Sequence, residues 1–220
     1  MNKTMKNSMR GVIAHSAAIA ITLLTFTTPA IAHHASGGEA PKSVLEGFIT
    51  GLAHPVIGLD HFAFVIAIGL LAAVLRRGLV VPIAFLLAAL AGTGLHLAAL
   101  DLPAAELMIS ASVLLFGLLI ATGRQLNIAA VVALSALAGI FHGYAYGEAV
   151  VGAEVSAIVA YLIGFTVIQG VIATAAYLVV QRGLKGSSDP SAVGTASLSI
   201  RYAGFIIVGA GIAFLSNLFL

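Results

Sequence analysis

The chain has 220 residues, 60% of them hydrophobic and only 8% charged, with a mean hydropathy of +1.12. That balance excludes an ordinary soluble domain and describes a single polytopic, all-helical membrane domain. A formal charge of +2 is too small and too scattered to suggest nucleic-acid binding. With no cysteine, disulfides, thiolate ligands and thiol catalysis are all excluded.

Lys3, Lys6 and Arg10 precede an apolar stretch over 12–26, and Ala30-Ile31-Ala32 supplies a small-residue cleavage pattern. Residues 1–32 therefore read as a signal peptide, with an uncleaved first span as the alternative. Cleavage would leave His33 and His34 at the head of a short periplasmic tail over 33–42. The two histidines could capture metal together with the free amine or be an inconsequential tail. Residues 43–220 form the expected six-helix transmembrane domain, its apolar segments at 43–75, 79–99, 103–122, 126–146, 154–181 and 199–220. Each is near the ~20 residues that cross a bilayer, except the first, which is too long for one straight span. The pair His54-Pro55 marks where it should break, because proline lacks an amide donor and pushes its predecessor out of helical geometry. A short helix from Ser43, a turn near Pro55 and a spanning helix from about Gly58 are expected. The polar link over 185–197 is the one long loop anticipated.

With the mature N-terminus outside, Arg76, Arg77, Arg124, Arg182, Lys185 and Arg201 all fall on the cytoplasmic side. That is the asymmetry of a multi-pass protein of the bacterial inner membrane. Glu39, Glu46, Asp101, Glu106, Glu148 and Glu154 fall on or near the outer side and describe a surface attractive to cations. Counting the helical rise from the cytoplasmic ends, His61 and His142 each lie roughly 22 Å up and His96 about 27 Å up. Three imidazoles from separate spans therefore share the outer half of the membrane.

The candidate donors His54, Asp60, His61, His96, His142 and Glu148 offer nitrogen and oxygen but no sulfur. That set suits a borderline divalent transition metal. A charged group at the bilayer centre costs on the order of 2.5–3.5 kcal/mol, so such residues ordinarily serve an ion, a proton or a substrate. On an unbroken helix His54 and His61 would share a face but lie about 10.5 Å apart, which is awkward for one ion unless Pro55 and Gly58 fold the backbone. Gly139, Gly143 and Gly147 form a small-residue stripe that permits close helix approach.

The string His54-Pro55-x-x-Gly58-x-Asp60-His61 resembles the signature of the HupE/UreJ membrane proteins. His142-Gly143-x-Ala145-x-Gly147-Glu148 resembles that family's second conserved segment. The resemblance implies a six-helix secondary permease, not an enzyme, that moves nickel, and in some members cobalt, as its substrate. It implies no resident cofactor and a link to the maturation of nickel enzymes such as hydrogenase and urease. By that similarity His54, Asp60, His61, His142 and Glu148 are candidate metal ligands, while His96 joins them on depth alone.

The bland readings are a hydrogen-bonded network sealing a broken helix for the His54–His61 motif and an interfacial histidine for His96. For Glu46, Asp101 and Glu106 they are loop or cap residues. Gln169 would line a path or bond across helices. A metal-dependent zinc hydrolase is the competing function, since histidines and carboxylates also activate a metal-bound water. Coordination requires neutral imidazoles, so apparent metal affinity should fall as pH drops through the histidine range.

Overall fold

A computed structural model describes residues 40–75, 79–123, 127–185 and 190–220, with side chains outside 184–197. The signal-peptide reading and His33 and His34 lie outside the described residues. The described residues form seven helices and no strand: α1 (Val44–Ile57), α2 (Leu59–Val74), α3 (Val80–Leu97), α4 (Ala105–Thr122), α5 (Ile128–Glu148), α6 (Val155–Lys185) and α7 (Pro190–Asn217). Five are long and apolar enough to cross a membrane, and the bent pair α1–α2 makes a sixth if it is one span. The protein is a multi-pass helical membrane protein.

The break in the first span falls at Gly58, three residues beyond Pro55, and α1 runs through the proline. The bend there is 79°. Loss of the Pro55 amide weakens the last turn of α1. The chain leaves the helix at the next residue without a side chain, where Gly58 turns extended and its N–H closes on the His54 carbonyl at 3.0 Å. A Cβ on Gly58 would stand 2.7 Å from Cδ2 of His61, so this corner also needs a glycine for space. At its other end α1 is capped by Ser43 Oγ, which accepts from the Glu46 amide at 3.2 Å, while Glu46 Oε2 accepts from the Lys42 amide at 2.8 Å. Glu46 is thus a capping residue.

Glycines let helix backbones touch, and they sort the bundle into pairs. Gly47 and Gly51 of α1 face the Ala157 and Tyr161 carbonyls of α6. Gly139 and Gly143 of α5 face the Phe85 and Ala89 carbonyls of α3. Gly117 of α4 and Gly204 of α7 meet the Val208 and Ala121 backbones. Residue numbers rise together in the first two pairs and oppose in the third, so α1 runs parallel to α6, α3 to α5, and α4 antiparallel to α7. Gly69 of α2 meets the Ala173 carbonyl further along α6. Both limbs of the bent pair therefore advance in one sense along α6, as a broken span does and a re-entrant hairpin does not.

The central helix is α2, which packs on α1, α3, α4, α6 and α7. Phe64, Val65, Ala67, Ile68, Leu71, Ala72 and Ala73 are all fully buried. Outside, Val155, Val159, Ile163, Val167 and Val171 of α6 are exposed at four-residue spacing, the stripe a lipid-facing helix presents. The last helix departs from expectation. It begins at Pro190, nine residues before the expected start at 199, and so takes in most of the segment anticipated as a loop over 185–197. Proline is well suited to a first helical turn, where its missing amide costs nothing, and that outweighs the polar composition of the segment.

A Cβ at Gly143 has nowhere to go except into the Ala89 carbonyl, whereas one at Gly94 meets nothing within 4 Å. Gly143→Val should therefore cost about 1–3 kcal/mol or more through overpacking, with Gly94→Ala neutral. Thermal unfolding of detergent-solubilised protein, with the monodisperse fraction as a second readout, checks the contrast.

Candidate metal centre

The bend at Gly58 places His54 at the end of α1 and Asp60-His61 in the first turn of α2, all near the α1 end of the bundle. The opposite wall is α5, which brings His142 and Tyr146 one turn apart on its buried face. His54, His61 and His142 are 4%, 2% and 0% exposed, while Asp60 keeps 19%. His61 Nδ1 and His142 Nδ1 stand 2.8 Å apart. The backbones of α2 and α5 scarcely approach each other, so the imidazoles themselves bridge the space between these spans. His54 is the third ring, its centroid 5.8 Å from that of His61.

The direction of the hydrogen bonds fixes the tautomers. Ser112 of α4 donates its one hydroxyl proton to the Ile109 carbonyl at 2.6 Å, since a carbonyl can only accept. Toward His142 Nε2, 3.0 Å away, Ser112 Oγ is therefore the acceptor and the ring nitrogen the donor. That leaves the lone pair of His142 on Nδ1, so His61 Nδ1–H donates to it and His61 Nε2 becomes the lone-pair nitrogen. Asp60 Oδ1 accepts from the His61 backbone amide at 2.8 Å and lies 4.0 Å from His61 Nε2. His61 thus has Nδ1 on His142 and Nε2 toward the carboxylate.

A second chain holds His54. The Tyr161 hydroxyl of α6 donates to the Tyr146 carbonyl at 2.9 Å, so at 3.0 Å from His54 Nδ1 its oxygen accepts from that ring. His54 is the Nδ1–H tautomer and its Nε2 carries the lone pair. Tyr146 donates its own hydroxyl to Gln169 Oε1 at 3.1 Å, and Gln169 Nε2 donates back to the Phe165 carbonyl at 3.0 Å. Gln169 therefore bonds across helices and buttresses Tyr146, whose ring lies 4.5 Å from that of His61.

One turn beyond the imidazoles, away from the α1 end, three fully buried phenyl rings close the bundle. Phe64 follows His61 on α2, Phe116 follows Ser112 on α4, and Phe85 precedes Ala89 on α3. Phe64 lies 4.8 Å from Phe116, 5.1 Å from Phe85 and 4.5 Å from His142. The polar cluster rests on a dry aromatic floor.

Two sequence candidates stand apart from this cluster. The His96 ring packs 4.5 Å from Tyr144 and lies over Gly147, one turn nearer the α1 end than the Gly143 level of His142. Its Nδ1 is buried without a hydrogen-bond partner. Glu148 is exposed at the last turn of α5. Among the described residues no three His, Asp or Glu side chains converge closely enough to enclose an ion as they stand. Ser112, Tyr146 and Tyr161 were not singled out from the sequence. Tyr146, four residues after His142 on the same helical face, carried a readable signal. Ser112 and Tyr161 are lone hydroxyls in apolar helices and carried none.

A family model described as HupE / UreJ protein matches residues 21–214. Protein HupE of Rhizobium leguminosarum bv. viciae is 31% identical over 131 residues, which is 59% of this chain and 66% of that relative, just under two thirds of its length. No solved structure matches.

Tyr161→Phe removes the acceptor of His54 Nδ1–H and the donor to the Tyr146 carbonyl in one step. Leaving buried polar atoms unanswered should cost about 1–3 kcal/mol. A lowered unfolding temperature, measured on the solubilised protein against wild type, is the expected result.

Proposed function

The chain belongs to the HupE/UreJ family, and from that premise we propose that it is a secondary permease importing a divalent transition metal. Nickel is the expected substrate and cobalt the close alternative, carried across the bacterial inner membrane with the mature N-terminus periplasmic. The observation that carries the reading is the meeting of His61 and His142, 2.8 Å apart at Nδ1 within an apolar bundle, with Asp60 beside the other nitrogen of His61. Imidazole and carboxylate donors without sulfur match such an ion. Burying them merely to pack would be costly in hydrocarbon.

On this reading the ion loses water near the acidic outer rim and is met by Asp60 and by His54 and His61 through Nε2. It then passes to the Nδ1 side of His61, where His142 waits. Loading draws these donors closer than they now stand, and His61 changes tautomer, giving up its Nδ1 proton and taking one at the Nε2 that the ion has left, beside Asp60. The rings Phe64, Phe85 and Phe116 bar the way inward while the ion is held, since a dry constriction resists a hydrated cation. They part for release. His96 and Glu148 sit nearer the entrance and would serve approach rather than the central sphere. The ion is cargo, delivered to the maturation of nickel enzymes, and no resident cofactor is called for.

A metal-dependent hydrolase would use similar donors, and Ser112 beside His142 has the outline of a nucleophile and its base. The Ser112 proton is committed to the Ile109 carbonyl, however, which favours a positioning role and hence the permease.

Cells expressing the protein should accumulate radioactive nickel, with uptake in His61→Ala and Asp60→Asn reduced about tenfold or more at equal membrane protein. Wild-type uptake by His61→Ala would remove the ligand assignment.

A further inference from the structure

Helices α5 and α6 follow one another in the chain, yet their backbones scarcely approach each other. What joins them is one side chain gripped by a row of three. Tyr161, Phe165 and Gln169 recur at four-residue spacing on the buried face of α6. The Tyr161 hydroxyl donates to the Tyr146 carbonyl at 2.9 Å, and the Phe165 ring lies 5.2 Å from the Tyr146 ring. Gln169 Oε1 accepts from the Tyr146 hydroxyl at 3.1 Å. The phenol of Tyr146 therefore lies along α6 and fills the gap between the two helices.

Its far end reaches the depth of the aromatic floor. Gly69 of α2 meets the Ala173 carbonyl, and α2 and α6 advance in one sense. One turn earlier on each helix, Gln169 stands about level with Phe64 and Val65. Because α6 pairs with α1 and α2, and α5 with α3, the bond from Tyr146 to Gln169 crosses the same division that the Phe64–Phe85 contact spans. Parting those rings draws α3 and α5 away from α2 and α6, and the bond breaks with them. The hydroxyl and amide oxygen so freed have no water at hand in a dry bundle, which makes the bond costly to open.

We infer that the Tyr146–Gln169 hydrogen bond is a latch that holds the inner side of the bundle shut and opens when the cargo is released inward. The inference rests on the permease reading and deepens it by naming what keeps the aromatic floor closed between transport events. Tyr146 and Gln169 act on the gate through this bond and not on the ion.

The chain has no cysteine, so one introduced thiol reports alone. Ala173, one turn inward of Gln169 on the same row, is 1% exposed. Purified full-length Ala173→Cys protein in detergent, without metal, is treated with a water-soluble maleimide. Gln169→Leu or Tyr146→Phe in this background should speed labelling about three- to tenfold, the worth of one buried hydrogen bond. Each single substitution also leaves its partner's polar atom unanswered and so loosens the bundle. The double variant Tyr146→Phe/Gln169→Leu removes both atoms, which should recover the unfolding temperature, while labelling stays as fast as in either single variant. Labelling at the unsubstituted rate in the double variant overturns the inference, as does fast labelling that comes only with a lowered unfolding temperature. Should Ala173→Cys fail to fold, Ala138→Cys takes its place, one turn inward of His142 on α5 and 5% exposed. Nickel uptake by cells expressing the wild type is measured alongside. Uptake with unchanged labelling in the double variant overturns the latch and leaves the permease standing, whereas absence of uptake removes the permease reading and the inference with it.

Discussion

Hydrocarbon has no water to offer a polar atom, so each N–H and O–H of the buried cluster must be answered from inside the bundle. This requirement makes the site directional. The chain from the Ile109 carbonyl through Ser112 and His142 to His61 begins at an atom that can only accept, and every proton behind it falls into place. The Tyr146 carbonyl plays the same part for Tyr161 and His54. Two backbone oxygens thereby set the protonation pattern of three imidazoles, and metal chemistry acts on that prepared pattern.

The architecture around the cluster follows from how closely backbones can come together. Where glycines face carbonyls, helices lock in pairs and leave little side-chain volume between them. Where α2 and α5 stand apart, the space is filled by imidazoles, a phenol and, one turn along, phenyl rings. The polar layer and the aromatic layer are neighbours because three helices each carry a polar or small residue and a phenylalanine four or three residues apart. The helical repeat stacks one layer on the other.

Much of this was legible in the sequence, for physical reasons. The spans were readable because lipid demands long apolar runs, and the helix starts at 80, 105, 128 and 155 fall within two residues of expectation. The meeting of His61 with His142 was foreshadowed by depth counting, which also set His96 about one turn further out, where it lies over Gly147. The stripe Gly139-Gly143-Gly147 does face α3. The break near Pro55, with a spanning helix from about Gly58, was readable because proline announces a weakened turn, and room for the His61 ring at Gly58 sets where the chain leaves the helix. The start of α7 was missed because polar composition suggests a loop, although Pro190 readily opens a helix. Ser112 and Tyr161 were invisible because a single hydroxyl has no period, and only the fold shows which ring it meets.

The glycine contacts have one more consequence. They weld α1, α2 and α6 into one block, α3 and α5 into a second, and α4 and α7 into a third. His54, His61 and Tyr161 belong to the first block, His142 and Tyr146 to the second, and Ser112 to the third. The cluster is therefore the keystone at which three rigid bodies lean on one another. A rocking of any one of them by a fraction of an ångström is felt first at the imidazoles, before any helix bends.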